Sequence, residues 1–193
     1  YLLFGNRADG TYSQIDSRHV HLNMPASFLY APALAQQPLT VQLKQLPERW
    51  SAASQLALQP DGGLQAANLD YFMDSPLELS EHQLLSFEQN SNGKNYRIEL
   101  ALHHQGPDHL AKALLEKTKA VVQQQQAVFG ELPDFAGQRY TFIADYQSGI
   151  NGDGMEHRNS TVVTSSKSLA QAELSQIETI SHEFFHAWNV ERL

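Results

Sequence analysis

Cysteine is absent from the chain, so disulfide scaffolds, thiolate zinc sites, iron–sulfur clusters and cysteine nucleophiles are all excluded. Positive charge is scarce: 13 Lys and Arg face 21 Asp and Glu, a net charge of −8 with His neutral. A nucleic-acid or anionic-membrane partner needs a basic face, and this balance argues against both. Long apolar runs are missing too. The stretch 28–34 is short and contains Pro32, far below the ~20 residues of a membrane-spanning helix. What remains is a chain of 193 residues, 41% of them hydrophobic. That is enough for one sizeable core or two modest ones without covalent staples. The chain begins at Tyr1 rather than Met and stops at Leu193 inside a helical pattern, which leads us to expect a piece of a longer protein.

The first hundred residues read as β. Short stretches of alternating polarity at 1–4, 19–24, 40–46 and 54–58 are separated by turn chemistry such as Pro60-Asp61-Gly62-Gly63. The clearest hairpin runs along 84–88 and returns along 96–102, joined through Asn90-Ser91-Asn92-Gly93. This spacing predicts a small antiparallel sandwich or an open barrel-like sheet. The pattern changes at Gly106-Pro107-Asp108, where Pro107 suits a first helical turn and Asp108 places negative charge at the favourable end of the helix dipole. Leu110, Leu114, Val121 and Val128 recur at helical spacing, the glutamine run 123–126 reads as a solvated face, and Gly130 with Pro133 ends the helix. Residues 139–144 and 161–164 read as strands around a glycine-rich loop at 148–154. A last helix after Ser168 carries Leu174, Ile177, Ile180, Phe184 and Trp188 near one face. The expected class is α+β, with a sandwich-like, antiparallel β-rich domain over 1–105 and an α+β domain over 106–193.

That last helix contains Ser181-His182-Glu183-Phe184-Phe185-His186-Ala187-Trp188, which matches H-E-x-x-H. Residues four apart on an α-helix lie about 400° round and roughly 6 Å apart along the axis, so His182 and His186 share a face. Two imidazoles so placed can bind one tetrahedral zinc ion at about 2.0–2.1 Å each. Glu183 is turned about 100° away, poorly placed to ligate beside both histidines but able to reach a water on the ion. Zinc lowers the pKa of such a water towards ~7, and a carboxylate alongside can take its proton. A third protein ligand is needed. Glu191 fails on geometry, about 140° round and about 7.5 Å beyond His186. The third ligand therefore lies earlier in the chain or beyond Leu193.

The ending His182-Glu183-Phe184-Phe185-His186-Ala187-Trp188-Asn189-Val190-Glu191-Arg192 resembles the glycyl aminopeptidase family, metallopeptidase family sixty-one of the thermolysin-like gluzincin zinc peptidases. Gly154-Met155-Glu156-His157-Arg158-Asn159-Ser160 is similar to the segment that this family places on the edge of its active-site cleft. The run from Asn68 to Glu78 also resembles a family signature. The resemblance covers most of the chain. It implies a β-rich amino-terminal domain, the first half of a thermolysin-like catalytic domain and, further on, a PDZ domain that this chain does not contain. It also implies that the third zinc ligand is a glutamate on a later helix. In related aminopeptidases a Gly-x-Met-Glu segment supplies a carboxylate that pairs with the free α-amine of the substrate. Gly154, Met155 and Glu156 are therefore substrate-binding candidates, although His157 stands where the better-known motif has Asn. Read alone, Glu156 is an ordinary loop carboxylate beside Arg158.

Other features carry less. Asp145 to Glu156 has Ile150 where a calcium loop wants glycine, so it is not an EF-hand. Gly152-Asp153-Gly154 is a turn without the Lys-Ser or Lys-Thr of a phosphate loop. His103 and His104 are adjacent on a strand and point to opposite faces. His19 and His21 share a face, with Asp16 and Arg18 nearby suggesting a solvated strand.

The resulting expectation is a zinc-dependent aminopeptidase acting on peptides with a free amino terminus. His182 and His186 would bind zinc, Glu183 would be the general base and Glu156 would read the amine. The resemblance adds a preference for small first residues such as Gly. The strand from Ser160 would offer its edge to the substrate backbone. For residues 1–193 alone we expect weak or absent zinc, no catalysis, and apolar surface left exposed on the last helix. Two alternatives stay open: a non-catalytic peptide-binding protein that keeps the fold, and an endopeptidase that does not depend on Glu156.

Overall fold

The computed structural model describes residues 1–7, 9–172 and 175–192. In chain order β1 (Gln14–Ile15) and β2 (His19–Leu22) precede the short helix α1 (Met24–Ser27). Then come β3 (Leu39–Val41), β4 (Ser51–Ser54), β5 (Ala57–Leu58), β6 (Leu64–Ala66), helix α2 (Leu69–Met73) and β7 (Leu77–Ser80). These strands form two antiparallel sheets, ordered β1-β2-β7-β4 and β3-β6-β5. Met24, Leu56, Leu64, Phe72, Leu77 and Leu79 pack in one apolar cluster. Asn23 and Asn68 cap α1 and α2, each side chain accepting from a backbone N–H three residues on. The strand expected at 1–4 does not form. Tyr1, Leu2 and Phe4 are exposed, and the segment meets the sheet through the bridge of Asn6 to Gln14.

The hairpin β8 (Gln83–Ser91) and β9 (Lys94–His104) is longer than its apolar pattern indicated. Asn92 and Gly93 alone make the turn, with φ of 49° and 75°, the left-handed pair that a type I′ connection requires. Helix α3 (Asp108–Phe129), β10 (Arg139–Tyr146), β11 (Asp153–His157), β12 (Ser160–Ser165), α4 (Leu169–Ala172) and α5 (Ser175–Asn189) complete the chain. Five strands make one mixed sheet ordered β11-β12-β10-β9-β8. Its middle strands β9, β10 and β12 are parallel, while β8 and β11 run antiparallel at the edges. The fold is α+β. The division expected at 105 falls beside β9, which pairs with β10 from Arg97↔Arg139 to His104↔Tyr146, so the hairpin and the later strands share one sheet.

Helices α3 and α5 are packed together, and Ala111, Leu114, Val122, Ile180, Phe184 and Ala187 join Leu100, Leu102, Tyr140 and Phe142 in the main core. The buried stripe of α3 is Ala111, Leu114, Thr118 and Val122. Val128, expected on that stripe, is 77% exposed; it lies six residues past Val122, the last buried position of the helix, and about 120° round from it. Gly130 closes the helix in the left-handed conformation, its N–H donating to the Gln126 carbonyl. The glutamine run is not merely solvated. Gln125 donates to the Ser181 carbonyl at 2.7 Å and Gln126 to that of Asn90 at 3.0 Å. Leu174 lies outside the described residues.

The other face of the mixed sheet carries Ala101, Ile143 and Val162, which pack with Ala53 of β4. His19 and His21 project towards this interface. They are 1% and 5% exposed, which corrects the expectation of a solvated strand: β2 is paired on both sides and its inward residues are covered.

Phe184 sits at the centre of the helical core, its ring centroid 5.0 Å from Tyr140, 5.5 Å from Phe142 and 5.2 Å from Trp188. Truncating it to Ala should cost ~3–5 kcal/mol in urea unfolding. The neighbouring Phe185, 37% exposed, should lose less than about 1 kcal/mol on the same change. Equal losses would show that the core is not organised around Phe184.

Candidate metal centre on the last helix

Helix α5 is fixed at several points. Gln125 of α3 holds the Ser181 carbonyl and hydroxyl, and the Trp188 indole donates to the Glu131 carbonyl at 3.0 Å. Just past the helix, Arg192 donates to the carbonyls of Ala187 and Arg158 and to Asn159 Oδ1. The helix thereby lies against β11 and β12.

On it, His182 Nε2 and His186 Nε2 are 3.2 Å apart, with the two rings 86° to one another. Two donors at about 2.0–2.1 Å from one tetrahedral ion are about 3.3 Å apart, so the pair has the spacing that zinc needs. His182 is exposed and His186 half-buried, whereas Glu183 is only 7% exposed. A ligand atom of each of the three lies within 4.8 Å of the other two. Glu191 is not in this group and its carboxylate approaches Arg158 instead, at 4.0 Å.

The Glu183 carboxylate packs directly on Gly154. A Cβ built at 154 would stand 2.2 Å from Glu183 Oε1 and 2.6 Å from its Cδ. This is the physical reason for glycine here, a reason not visible in the sequence. Burial pushes the Glu183 carboxyl above the ordinary glutamate value. His182 and His186 oppose that shift, and Glu156 and Asp153 add to it.

Side chains alternate along β11, so Glu156 shares with Gly154 the face turned to α5. Met155 and His157 lie on the opposite face. Glu156 is thus brought beside the H-E-x-x-H group and the Met155 side chain is not. β11 is the edge strand. That corrects the expectation that the strand from Ser160 offers its edge to a peptide: β12 is hydrogen-bonded on both sides, to β11 and to β10.

The segment after β11 is welded to the amino-terminal region by a polar network that sequence reading missed. Asp74 accepts from the Arg158 N–H and contacts His157 Nδ1, both at 3.0 Å. Gln55 Oε1 accepts from the Asn159 N–H and the Ser160 hydroxyl, while its amide nitrogen donates to Asp74 and Ser75. Tyr71 bonds the Gln55 carbonyl and the Asn159 amide. The run from Asn68 to Glu78 therefore matters as a clamp on the β11–β12 turn. Nothing in the polarity pattern marks Gln55, because the partners of its side chain lie 19 to 105 residues away.

Residues 1–81 match the family model of the peptidase M61 N-terminal domain. No curated protein matches the chain significantly. Among solved structures, an aminopeptidase N family protein from Idiomarina loihiensis is 25% identical, with a TM-score of 0.68, over 95% of this chain and 33% of that one. Aminopeptidase A from Legionella pneumophila, in complex with aspartic acid, is 14% identical with a TM-score of 0.56, over 91% of this chain and 23% of that one, and shows the fold alone. The chain thus spans about one third of the length of the first and under a quarter of the second. The family match thus covers 81 of the 193 residues, and over that stretch the chain resembles an M61-type peptidase.

Two outcomes test the site's construction. Gly154→Ala should cost ~1–3 kcal/mol through overpacking and should displace the Glu183 carboxylate in a crystal structure; an unmoved carboxylate would refute the contact. Burial of Asp74 opposes its ionisation, but His157, the Arg158 N–H and Gln55 together hold its carboxyl below the ordinary 3.8. A depressed carboxyl stabilises the fold above its unfolded value and loses that contribution as pH falls through its folded value. Stability should therefore drop below pH 3.8, and Asp74→Asn should flatten the drop in pH-dependent urea melts.

Proposed function

We propose that this chain contains the amino-terminal part of a zinc-dependent aminopeptidase that hydrolyses the first peptide bond of peptides with a free amino terminus. The observation that carries the proposal is the 3.2 Å spacing of His182 Nε2 and His186 Nε2 with the buried Glu183 carboxylate beside them. His182 and His186 would hold the ion, whose chemistry when bound is Lewis acidity towards the scissile carbonyl and the attacking water. Two imidazoles are one protein ligand short of a catalytic zinc site. The third donor would come from outside residues 1–193, and these residues alone would bind zinc weakly and turn over no peptide.

Glu183 accepts the proton of the attacking water and returns it to the leaving amine. Its burial favours the first half of that task, because a carboxyl held above the ordinary glutamate value is, once ionised, a stronger base than a carboxylate in water. The edge strand β11 has a free backbone side among the described residues. A peptide can pair there antiparallel, laying its first residue along the face that carries Glu156. The Glu156 carboxylate then pairs with the α-ammonium, which measures off one residue and rejects blocked termini. Small first residues such as Gly are favoured by the family resemblance.

In a longer protein that supplies the remaining ligand, Glu183→Gln should retain zinc and lose activity by ~10²–10⁴-fold. Full activity in that variant would discard the mechanism. The intact enzyme should cleave free peptides and spare their acetylated counterparts. Equal cleavage of both would make it an endopeptidase, and no cleavage of either with peptide still bound would leave a binding protein.

A further inference from the structure

Three histidines and two carboxylates meet between the amino-terminal sheet and the mixed sheet, on the face opposite α5. His19 and His21 come from β2, Glu78 from β7, His103 from β9 and Asp145 from β10. His19, His21, Glu78 and Asp145 are 1%, 5%, 2% and 6% exposed. Among the described residues, the only ion-pair partners of Glu78 and Asp145 are these histidines. Burying an unbalanced carboxylate costs several kcal/mol, so the two anions need either two imidazolium ions or one divalent cation.

The distances favour the cation. His19 Nε2 is 3.4 Å from Asp145 Oδ2, and His103 Nδ1 is 3.3 Å from Asp145 Oδ1. Charge-assisted hydrogen bonds between such groups close to about 2.7–2.9 Å. Donors sharing a tetrahedral ion stay about 3.3 Å apart. Ligand atoms of His19, His103 and Asp145 all lie within 4.8 Å of one another. Unsatisfied atoms surround them: Glu78 Oε1, 3.9 Å from His103 Nδ1, has no hydrogen-bond partner, nor do His19 Nδ1, His21 Nε2 and Gln14 Oε1. A small void of about 10 Å³ adjoins His19 and Asp145, lined also by Gln14 and His21 but not by His103, room for a single water.

We propose that His19, His103 and Asp145 form a second divalent-metal site, of the imidazole-and-carboxylate kind that suits zinc. Gln147 supports it from the side. Its amide nitrogen lies 2.6 Å from His103 Nδ1 and donates to Asp145 Oδ1 at 2.8 Å, hydrogen-bond distances that hold these two side chains in position from outside the ligand set. Because His19 belongs to one sheet and His103 and Asp145 to the other, the ion clips the amino-terminal sheet to the sheet that carries β11. This assignment is independent of the proposed peptidase activity.

The test removes the helix pair first. The full chain with His182→Ala and His186→Ala, freed of metal by chelation, is titrated with zinc chloride and assayed for bound metal and melting temperature. The expected result is about one equivalent of zinc and a raised melting temperature, both lost when Asp145→Asn or His103→Gln is added. No uptake by the double variant overturns the proposal, and so does uptake that survives both further substitutions. If Asp145→Asn fails to fold, zinc-edge X-ray absorption of the double variant decides: histidine ligation supports the site, and an all-oxygen shell overturns it.

Discussion

The close approach of α5 to β11 governs the rest of the architecture. Glu183 meets Gly154 with no room for a Cβ between them, so the helix and the edge strand are locked at a separation that only glycine allows. That contact places a buried carboxylate against the edge strand of the mixed sheet, and turns the neighbouring His182 and His186 away from the core. The apolar residues of α5 do the complementary work. Ile180, Phe184 and Ala187 are held in the core, which fixes the rotation of the helix and hence the direction in which its polar residues point.

The mixed sheet separates two kinds of chemistry. Its helical side is apolar, with Tyr140, Phe142 and Phe184 stacked edge to face. Its other side meets the amino-terminal sheet through small residues and through a buried set of histidines and carboxylates. A second polar junction, centred on Gln55 and Asp74, fastens the turn after β11 to α2. The amino-terminal region is therefore not a passive neighbour. It holds both ends of the strand proposed to receive substrate: the Thr11 hydroxyl donates to Asp153 at 2.7 Å where β11 begins, and Asp74 binds His157 and Arg158 where it ends.

Local patterns revealed what depends on nearby residues. The alternation along 84–88 and 96–102 with Asn90-Ser91-Asn92-Gly93 between, the helical spacing from Leu110 with its Gly130 stop, and the H-E-x-x-H face all involve neighbours within a few residues. What escaped was set by distant partners. The solvated reading of His19 and His21 failed because β7 and β10 bring carboxylates onto them from elsewhere in the chain. Nothing in 148–157 announces that β11 covers the outer side of β12. Val128 matched the apolar spacing of α3 but lies beyond the packed face. Gly154 was recognisable only as part of a motif; its steric reason needed Glu183, twenty-nine positions later, in place beside it.

The account rests on the two imidazoles of α5 acting on one ion. Anomalous diffraction at the zinc edge, from crystals soaked in zinc, measures that directly. A single peak about 2.0–2.1 Å from both His182 Nε2 and His186 Nε2 is the predicted result. Rings turned apart with no anomalous density between them, in crystals that bind zinc elsewhere, would contradict it.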